Sequence, residues 1–187
     1  APSPGGDAVR NPNTLPTGRN LFGINAEATP GVRAWDEGKA LAKSTLDRYY
    51  RKHGEYPRKV SYTFWAGEFI ETEGATLAQA LYMLGVAPVR DGMNRVTDLR
   101  LIPSAELGRP RIDVVVQTSG QLRDVAASRL ELLTKAVKMV AQSENDTCGN
   151  YVSEGTVESE RILLEKGFSP KEARELSTVR VFGGAGY

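Results

Sequence analysis

Apolar positions along the chain switch between helical and strand spacing. Trp35, Ala42, Leu46 and Tyr49 recur every three to four residues or multiples of that spacing, so residues 31–53 are predicted to form an amphipathic helix. Beyond a break at Tyr56 and Pro57, residues 59–65 are rich in β-branched and aromatic side chains, which favours a strand buried on at least one face.

The following segment predicts a second helix between two extended pieces. Residues 66–74 are expected to be a loop, and Leu77, Leu81 and Leu84 mark a helix that Gly85 ends. Residues 86–89 then form a short extended stretch, so a β-α-β unit is predicted. Residues 96–102 are expected to be an edge strand, because charged residues alternate with apolar neighbours there.

A nearly continuous β-branched run over residues 112–116 predicts a central strand, with Ile112, Val114 and Val116 buried. A long helix follows it, and two shorter helices follow at 153–166 and after Ser169, where Pro170 and Glu172 complete a capping signal. Strands that alternate with helices indicate an α/β fold, doubly wound, with a mostly parallel sheet flanked by helices. Residues 59–140 are expected to form this unit.

Pro, Gly, Asn and Asp are concentrated in residues 1–16, which we interpret as a linker or loop. Residues 17–142 are assigned to the α/β domain. Residues 143–187 are assigned to a helical segment that ends in a truncated glycine-rich connection. Because such a run normally joins two elements, we expect the chain to be a fragment of a larger multidomain protein.

Composition excludes several classes of function. The formal net charge is +1 and like charges do not cluster, so a nucleic-acid partner or a polybasic membrane binder is not expected. Apolar runs fall far short of the about 18 residues that a membrane span needs. Cys148 is the single cysteine and His53 the single histidine, so an internal disulfide and a His/Cys metal cluster are excluded. These features fit a reducing compartment, and we expect a cytoplasmic protein.

Glu68, Glu71 and Glu73 form the first group of candidate functional residues. Clustered carboxylates repel one another, so one of them is able to hold and exchange a proton, or the group is able to hold a divalent cation. The alternative is a solvated acidic loop that caps the next helix.

The second candidate is the strand-to-helix turn over residues 118–124. Ser119 and Gly120 stand where an anion is able to approach a helix N-terminus, although the chain contains no Walker-type phosphate loop. The alternative is that Ser119 caps the helix while Arg123 and Asp124 pin the turn by ion pairs. Because both turns follow strands of one parallel set, we expect them to lie side by side at one end of the sheet.

Several motifs are similar to those of a known family, the CobN and magnesium-chelatase large subunits. Residues 107–116 read LGRPRIDVVV, residues 119–124 read SGQLRD and residues 180–183 read RVFG. Residues 15–20, LPTGRN, and 54–57, GEYP, also fit. The resemblance covers most of residues 15–187, whereas the family's subunit is several times longer.

The resemblance implies a tetrapyrrole-binding subunit that moves a metal with the help of AAA-type ATPase partners, so that ATP acts only through those partners. Such chemistry needs carboxylates or histidines beside a flat apolar cavity. The proton-exchanging residues it implies are Glu68, Glu71 and Glu73. The residues it implies for macrocycle binding are Trp65, Gln79, Ser119, Gly120 and Arg123. The resemblance does not identify the metal ligands or the particular macrocycle.

The sequence departs from metal-inserting members after the first strand. Residues 65–68 read WAGE where a Trp-Gly-Thr-Asp motif is expected, and Glu71 replaces a basic residue before Thr72. This change resembles the HmuS-type branch, so removal of iron from haem is the favoured hypothesis. Insertion of cobalt or magnesium is the alternative, and a scaffold region without catalytic residues is a third. We expect the isolated segment to be inactive as a chelatase.

Overall fold

The computed structural model describes residues 4–5, 21–22 and 25–183. Its elements follow one another as β1 (Pro4–Gly5), β2 (Leu21–Phe22), a 3₁₀ turn (Ala26–Ala28), α1 (Val32–His53), β3 (Lys59–Phe64), α2 (Ala66–Glu71), α3 (Ala75–Leu84), β4 (Val86–Arg90), β5 (Val96–Leu101), α4 (Ser104–Leu107), β6 (Asp113–Thr118), α5 (Gly120–Ala141), α6 (Tyr151–Glu165), α7 (Pro170–Ser177) and β7 (Val181–Phe182). Apart from Pro4–Gly5, the predicted linker over 1–16 lies outside the described residues, as do residues 15–20 and the end of the glycine-rich run at 184–187.

The central sheet is parallel and has the strand order β3-β6-β7. Its register pairs Lys59 with Asp113 and Phe64 with Thr118. Ile112, Val114 and Val116 are fully buried, which confirms the predicted central strand. The stretch predicted as a helical segment also supplies the third strand, since β7 pairs with β6.

β4 and β5 correct the predicted β-α-β unit and the predicted edge strand. They form a separate antiparallel pair and do not join the central sheet. Gly85 ends α3 in the left-handed conformation and β4 begins at the next residue, so α3 does not cross over to a parallel neighbour of β3. Asp91 closes the hairpin turn, because its side chain accepts hydrogen bonds from the backbone N–H groups of Met93 and Arg95.

Most predicted helices are present, with one correction. The predicted loop over 66–74 contains the six-residue helix α2, whose Phe69 is fully buried. Six residues give less than two turns, too few for a helical period to show in the sequence. The Ser169 hydroxyl caps α7 by accepting from the Glu172 N–H at 3.2 Å, as predicted. α5 is interrupted at Ala126, where φ is −139°.

Helices flank both faces of the central sheet. α3 contacts β3 and β6, and α1 packs against α3. Gly38 allows this close approach, since a Cβ on Gly38 would lie 2.6 Å from Ala78 Cβ and 2.7 Å from the Ala75 carbonyl oxygen. On the opposite face α6 covers β6 near Asp113, whose Oδ2 would be 3.1 Å from a Cβ on Gly155. Within the described residues no helix has the length and apolar character needed to cross a membrane.

Two buried arginines of the LGRPR motif hold the C-terminal end of α3. Arg109 donates to the carbonyls of Tyr82 and Met83 at 2.6 and 3.0 Å. Arg111 donates to the Gly85 carbonyl at 2.6 Å and pairs with Asp146 at 2.8 Å. These carbonyls carry the negative end of the helix dipole, so they favour a cation there. Burial lowers the pKa of Arg109 to about 10, and the guanidinium therefore remains charged at neutral pH.

A buried ion pair joins two further motifs. Asp113 Oδ1 accepts from Arg180 Nε at 2.9 Å, and both side chains are almost fully buried. Arg180 also donates to the Ser177 carbonyl at 2.7 Å, and its own carbonyl accepts from the Val116 N–H at 2.8 Å. The pair therefore fixes the end of α7 and the start of β7 against the central strand.

The contact at Gly38 generates a stability prediction. Gly38→Ala should lower the free energy of unfolding by about 1–3 kcal/mol, because a methyl group there forces α1 away from α3. The matched control is Gly67→Ala in α2, where an added Cβ has nothing within 4 Å. That control should be neutral or stabilising by up to about 1 kcal/mol. Urea unfolding measures both, and equal destabilisation in the two variants would contradict the close approach.

The buried pair generates a second prediction. Arg180→Met should cost about 3–5 kcal/mol in urea unfolding, because Asp113 is left buried with only Lys59 Nζ, 3.7 Å from Oδ2, as a counter-charge. The double variant Asp113→Leu with Arg180→Met should be more stable than the sum of the single losses implies. Arg161→Met removes exposed ion pairs instead and should change stability little. Additive losses in the double variant would show that the pair is not coupled.

Candidate functional site at the carboxyl ends of the parallel strands

The three parallel strands end at one edge of the sheet and bring the two predicted turns together. Phe64 and Thr118 are partners in the register, and the Ser119 N–H donates to the Phe64 carbonyl at 3.4 Å. Gly183 follows β7 at the same edge, where a Cβ on it would lie 2.7 Å from the Thr118 carbonyl oxygen. α2 contacts α5 directly. The prediction that segments 66–74 and 118–124 lie side by side is confirmed.

Ser119 acts as the cap of α5. Its Oγ accepts from the Leu122 N–H at 3.2 Å, which confirms that Ser119 caps the helix. The ion pairs expected of Arg123 and Asp124 are not found among the salt bridges of residues 25–183. A hydroxyl that accepts one bond still carries a proton to donate. Gly120 is the first residue of α5, and Arg123 lies exposed one turn further along.

Glu68 is half-buried between α2 and α3. Its Oε1 accepts hydrogen bonds from the hydroxyl groups of Thr72, at 3.1 Å, and Thr76. Its Oε2 is buried and has no hydrogen-bond partner among the described residues. Thr72 meets Glu68 as its i+4 neighbour at the end of α2, whereas Thr76 was not expected from the sequence, since it reaches Glu68 only after the chain turns from α2 into α3.

The other predicted carboxylates point to different surroundings. Glu71 is the last residue of α2 and is exposed. The backbone of Glu73 is in the left-handed conformation, with φ of 55°. Its Oε2 would lie 2.6 Å from a Cβ on Gly31, which precedes α1. Gln79 lies where α3 packs against α1, and its backbone nitrogen would be 3.2 Å from a Cβ on Gly38. Across the described part of the chain, no three His, Cys, Asp or Glu side chains are grouped to hold a metal ion.

An exposed row crosses the outer face of the sheet at this edge. Thr63, Gln117 and Phe182 are aligned in the register on β3, β6 and β7, and all three are exposed. Trp65 has extended backbone angles, so strand alternation continues and places it on the same face as Thr63. Trp65 is 62% exposed and Phe182 is 50% exposed. Trp65 directly follows β3 and Phe182 lies on β7, and these two strands are separated by two strand spacings, or roughly 10 Å.

Phe182 was missed as a site residue. Strand alternation in RVFG predicts that the side chain of Phe182 points to the opposite face of the sheet from Val181. The strand pairing that aligns Phe182 with Gln117, however, connects residues far apart in sequence. No local pattern carries that information.

Arg123 lines an open groove between α5 and β7. The groove has a volume of about 660 Å³, which lies within the range of ligand pockets. Its other lining residues are apolar or basic for the most part: Ala127, Leu130, Glu131, Thr134, Lys135, Lys138, Met139, Gln142 and Val181. Arg123 therefore links the edge of the sheet with a mixed apolar and cationic surface.

Comparisons with known proteins agree with the sequence motifs. The chain is 40% identical over 185 residues to the magnesium-chelatase subunit ChlH, chloroplastic, of Oryza sativa subsp. indica, covering 98% of this chain and 13% of that protein. It is 37% identical over 185 residues to the aerobic cobaltochelatase subunit CobN of Sinorhizobium sp, covering 98% of this chain and 14% of that protein. The solved catalytic subunit of cobaltochelatase from Mycobacterium tuberculosis superposes with a TM-score of 0.78 at 39% identity, over 90% of this chain and 14% of that one.

The chain thus spans about one seventh of the length of these relatives. The family model described as CobN/Magnesium Chelatase matches residues 1–186, and the chain therefore belongs to the CobN/magnesium chelatase family.

Proposed function

We propose that this chain is part of a large subunit that exchanges metal ions with tetrapyrroles, and that it forms one wall of the substrate site. The observation that carries the proposal is the convergence at one sheet edge of α2, with its carboxylates, the start of α5, and the exposed Trp65 and Phe182. Family membership supplies the substrate class.

The macrocycle would lie against the two aromatic rings. Planar rings stack on exposed aromatic side chains, and Trp65 and Phe182 lie on either side of β6 on the same face of the sheet. Ser119 Oγ is free to donate its proton, and Arg123 supplies a cation near the start of α5. Those groups suit the carboxylates that many tetrapyrroles carry at their periphery.

The carboxylates would move protons. When a divalent metal leaves the ring, its bonds to nitrogen break and two pyrrole nitrogens each form a new N–H bond, so two protons must be delivered; insertion is the reverse. Glu71 and Glu73 are exposed and able to meet solvent and substrate. Glu68 is the third carboxylate of the segment, and its buried Oε2 has no hydrogen-bond partner among the described residues, so we include it as a group that would take part in proton transfer.

We favour release of iron from haem as the direction. The family resemblance leads us to expect a basic residue at the position of Glu71 in metal-inserting members, and Glu71 instead places a negative charge at the end of α2. A carboxylate attracts a departing cation and its protonated form is able to supply a proton, whereas a positively charged side chain repels the departing metal ion.

Metal insertion is the second candidate, because the relatives at 37–40% identity are named as magnesium-chelatase and cobaltochelatase subunits. In that case ATPase partner subunits would drive the reaction. A scaffold role is the third candidate. It is favoured by the use of Arg109, Arg111, Asp113 and Arg180 in packing, since these motif residues are buried and occupied by protein groups.

Replacement of Glu71 by Gln in the full-length subunit separates catalysis from scaffolding. Single-turnover metal exchange should fall by about 10²- to 10⁴-fold if Glu71 exchanges protons, because the amide cannot titrate. The matched control is Glu175→Gln, an exposed carboxylate on α7 that should leave the rate unchanged. Thermal unfolding should be similar in both variants. Unchanged rates for the Glu→Gln variants of residues 68, 71 and 73 would leave the scaffold role.

The 187-residue chain alone should show only background metal exchange. It covers about one seventh of its relatives, so the opposite wall of the substrate site is expected from the rest of the subunit. Absorbance of haem, or of a metal-free porphyrin with added cobalt or magnesium, measures release and insertion separately. Turnover by the chain would show that residues 1–187 hold the complete site.

A further inference from the structure

A second cavity lies at the opposite end of α3 from the sheet edge. α3 begins next to α2 and runs for ten residues, so its far end is roughly 15 Å away. The cavity there has a volume of about 190 Å³. Its walls come from α1, α3, the β4–β5 hairpin and α4: Trp35, Lys39, Lys43, Tyr82, Ala87, Arg100, Ile102, Glu106 and Leu107.

Two aromatic rings form a fixed wall. Trp35 and Tyr82 meet edge to face, with ring centroids 6.1 Å apart and an interplanar angle of 74°. Tyr82 is buried, and the Arg109 guanidinium lies 4.9 Å from its ring centroid. Tyr82 is therefore held between α1 and the arginine that clamps α3, so this wall does not need to be ordered when a ligand arrives.

Three cations converge on this wall. Trp35, Lys39 and Lys43 are spaced four residues apart and share one face of α1, and Lys39 Nζ lies 6.0 Å from the Trp35 ring centroid. Arg100 lines the cavity from β5, and Glu106 is the single carboxylate among the lining residues. The salt bridges of residues 25–183 join other side chains and leave these three cations without an ion-pair partner.

This arrangement favours an anion. Three cations and one carboxylate line the cavity, so its lining carries a net positive charge that a bound anion neutralises. An arginine presents paired N–H donors that match a carboxylate or phosphate, and two lysines add point charges. A volume of about 190 Å³ is smaller than the roughly 300–1,000 Å³ of sites for drug-sized ligands. It accommodates a small anion and excludes a nucleotide or a tetrapyrrole ring.

We propose that the cavity between α1, α3 and the β4–β5 hairpin binds a small multivalent anion that carries phosphate or carboxylate groups. Lys39, Lys43 and Arg100 are its charged ligands, and Trp35 and Tyr82 form the apolar wall. The site is separate from the sheet edge and does not depend on the metal-exchange function.

Thermal unfolding and calorimetry of the 187-residue chain test the proposal, with inorganic phosphate and citrate as probes and sodium chloride holding the ionic strength constant. At least one probe should raise the melting temperature in a saturable way. Lys39→Gln and Arg100→Gln should each weaken binding of that probe at least about tenfold, since each removes a charge-assisted contact. Glu106→Gln should tighten it, because a competing carboxylate is removed. Both phosphate and citrate are needed because preference for one of them identifies which anionic group the site recognises.

Lys52→Gln is the matched control, since Lys52 is an exposed lysine of α1 outside the cavity. It should bind the probes as the unaltered chain does. The side chains of Lys39 and Arg100 lie at the surface, so the melting temperature without probe reports whether each variant is folded. A rise that is equal in all variants would be a general salt effect, and it would overturn the proposal. Absence of saturable binding by either probe would overturn it as well.

Discussion

Burial of guanidinium groups is the constraint on which the rest of the structure depends. A charged group inside a protein costs several kcal/mol unless protein groups replace its water. Hydrogen bonds to the carbonyls at the end of α3 offset this cost for Arg109 and Arg111, and the ion pair with Asp113 offsets it for Arg180. Since α3 contacts the sheet, α1 and α5, fixing its end fixes the layers around it. The start of β7 is fixed in the same way.

The charged residues of the family motifs stabilise the fold, and the groups available for chemistry lie elsewhere. The residues of LGRPRID and RVFG that carry charge are directed into the protein, where they join α3, β6 and β7. The groups that remain accessible lie at the ends of the strands: Trp65 after β3, the start of α5 after β6, and Phe182 on β7. A rigid interior therefore positions an open edge, which is how α/β folds usually present a site.

The edge and the small cavity share α3 and differ in character. At the N-terminal end of α3, Thr72 and Thr76 hold the side chain of Glu68, which belongs to the short helix α2. At its C-terminal end, Tyr82 and the neighbouring cations of α1 and β5 form a positively charged cavity. The separation follows from the direction of α3, which runs antiparallel to β3 and so carries its two ends to opposite edges of the sheet.

The sequence by itself determined the features that depend on neighbouring residues. The β-branched run at 112–116 predicts the central strand, the Ser119 and Ser169 caps predict the starts of α5 and α7, and the amphipathic spacing predicts α1, because each pattern is complete within one segment. Helix α2 was not predicted, because six residues are too few to show a helical period in the sequence. The β4–β5 hairpin was not predicted because the spacing of apolar residues within a strand does not show which neighbour the strand pairs with.

Only the tertiary structure decided which residues meet across long distances. Examples are the pairing of Asp113 with Arg180 and the row formed by Thr63, Gln117 and Phe182. The placement of Lys39 and Arg100 around one cavity likewise joins segments separated by dozens of residues. Local pattern reports which face of an element is apolar, whereas the partner of that face is fixed by packing of the whole chain. The outer face of the sheet and the charged cavity are therefore properties of the fold, while the strands and helices that carry them are properties of the sequence.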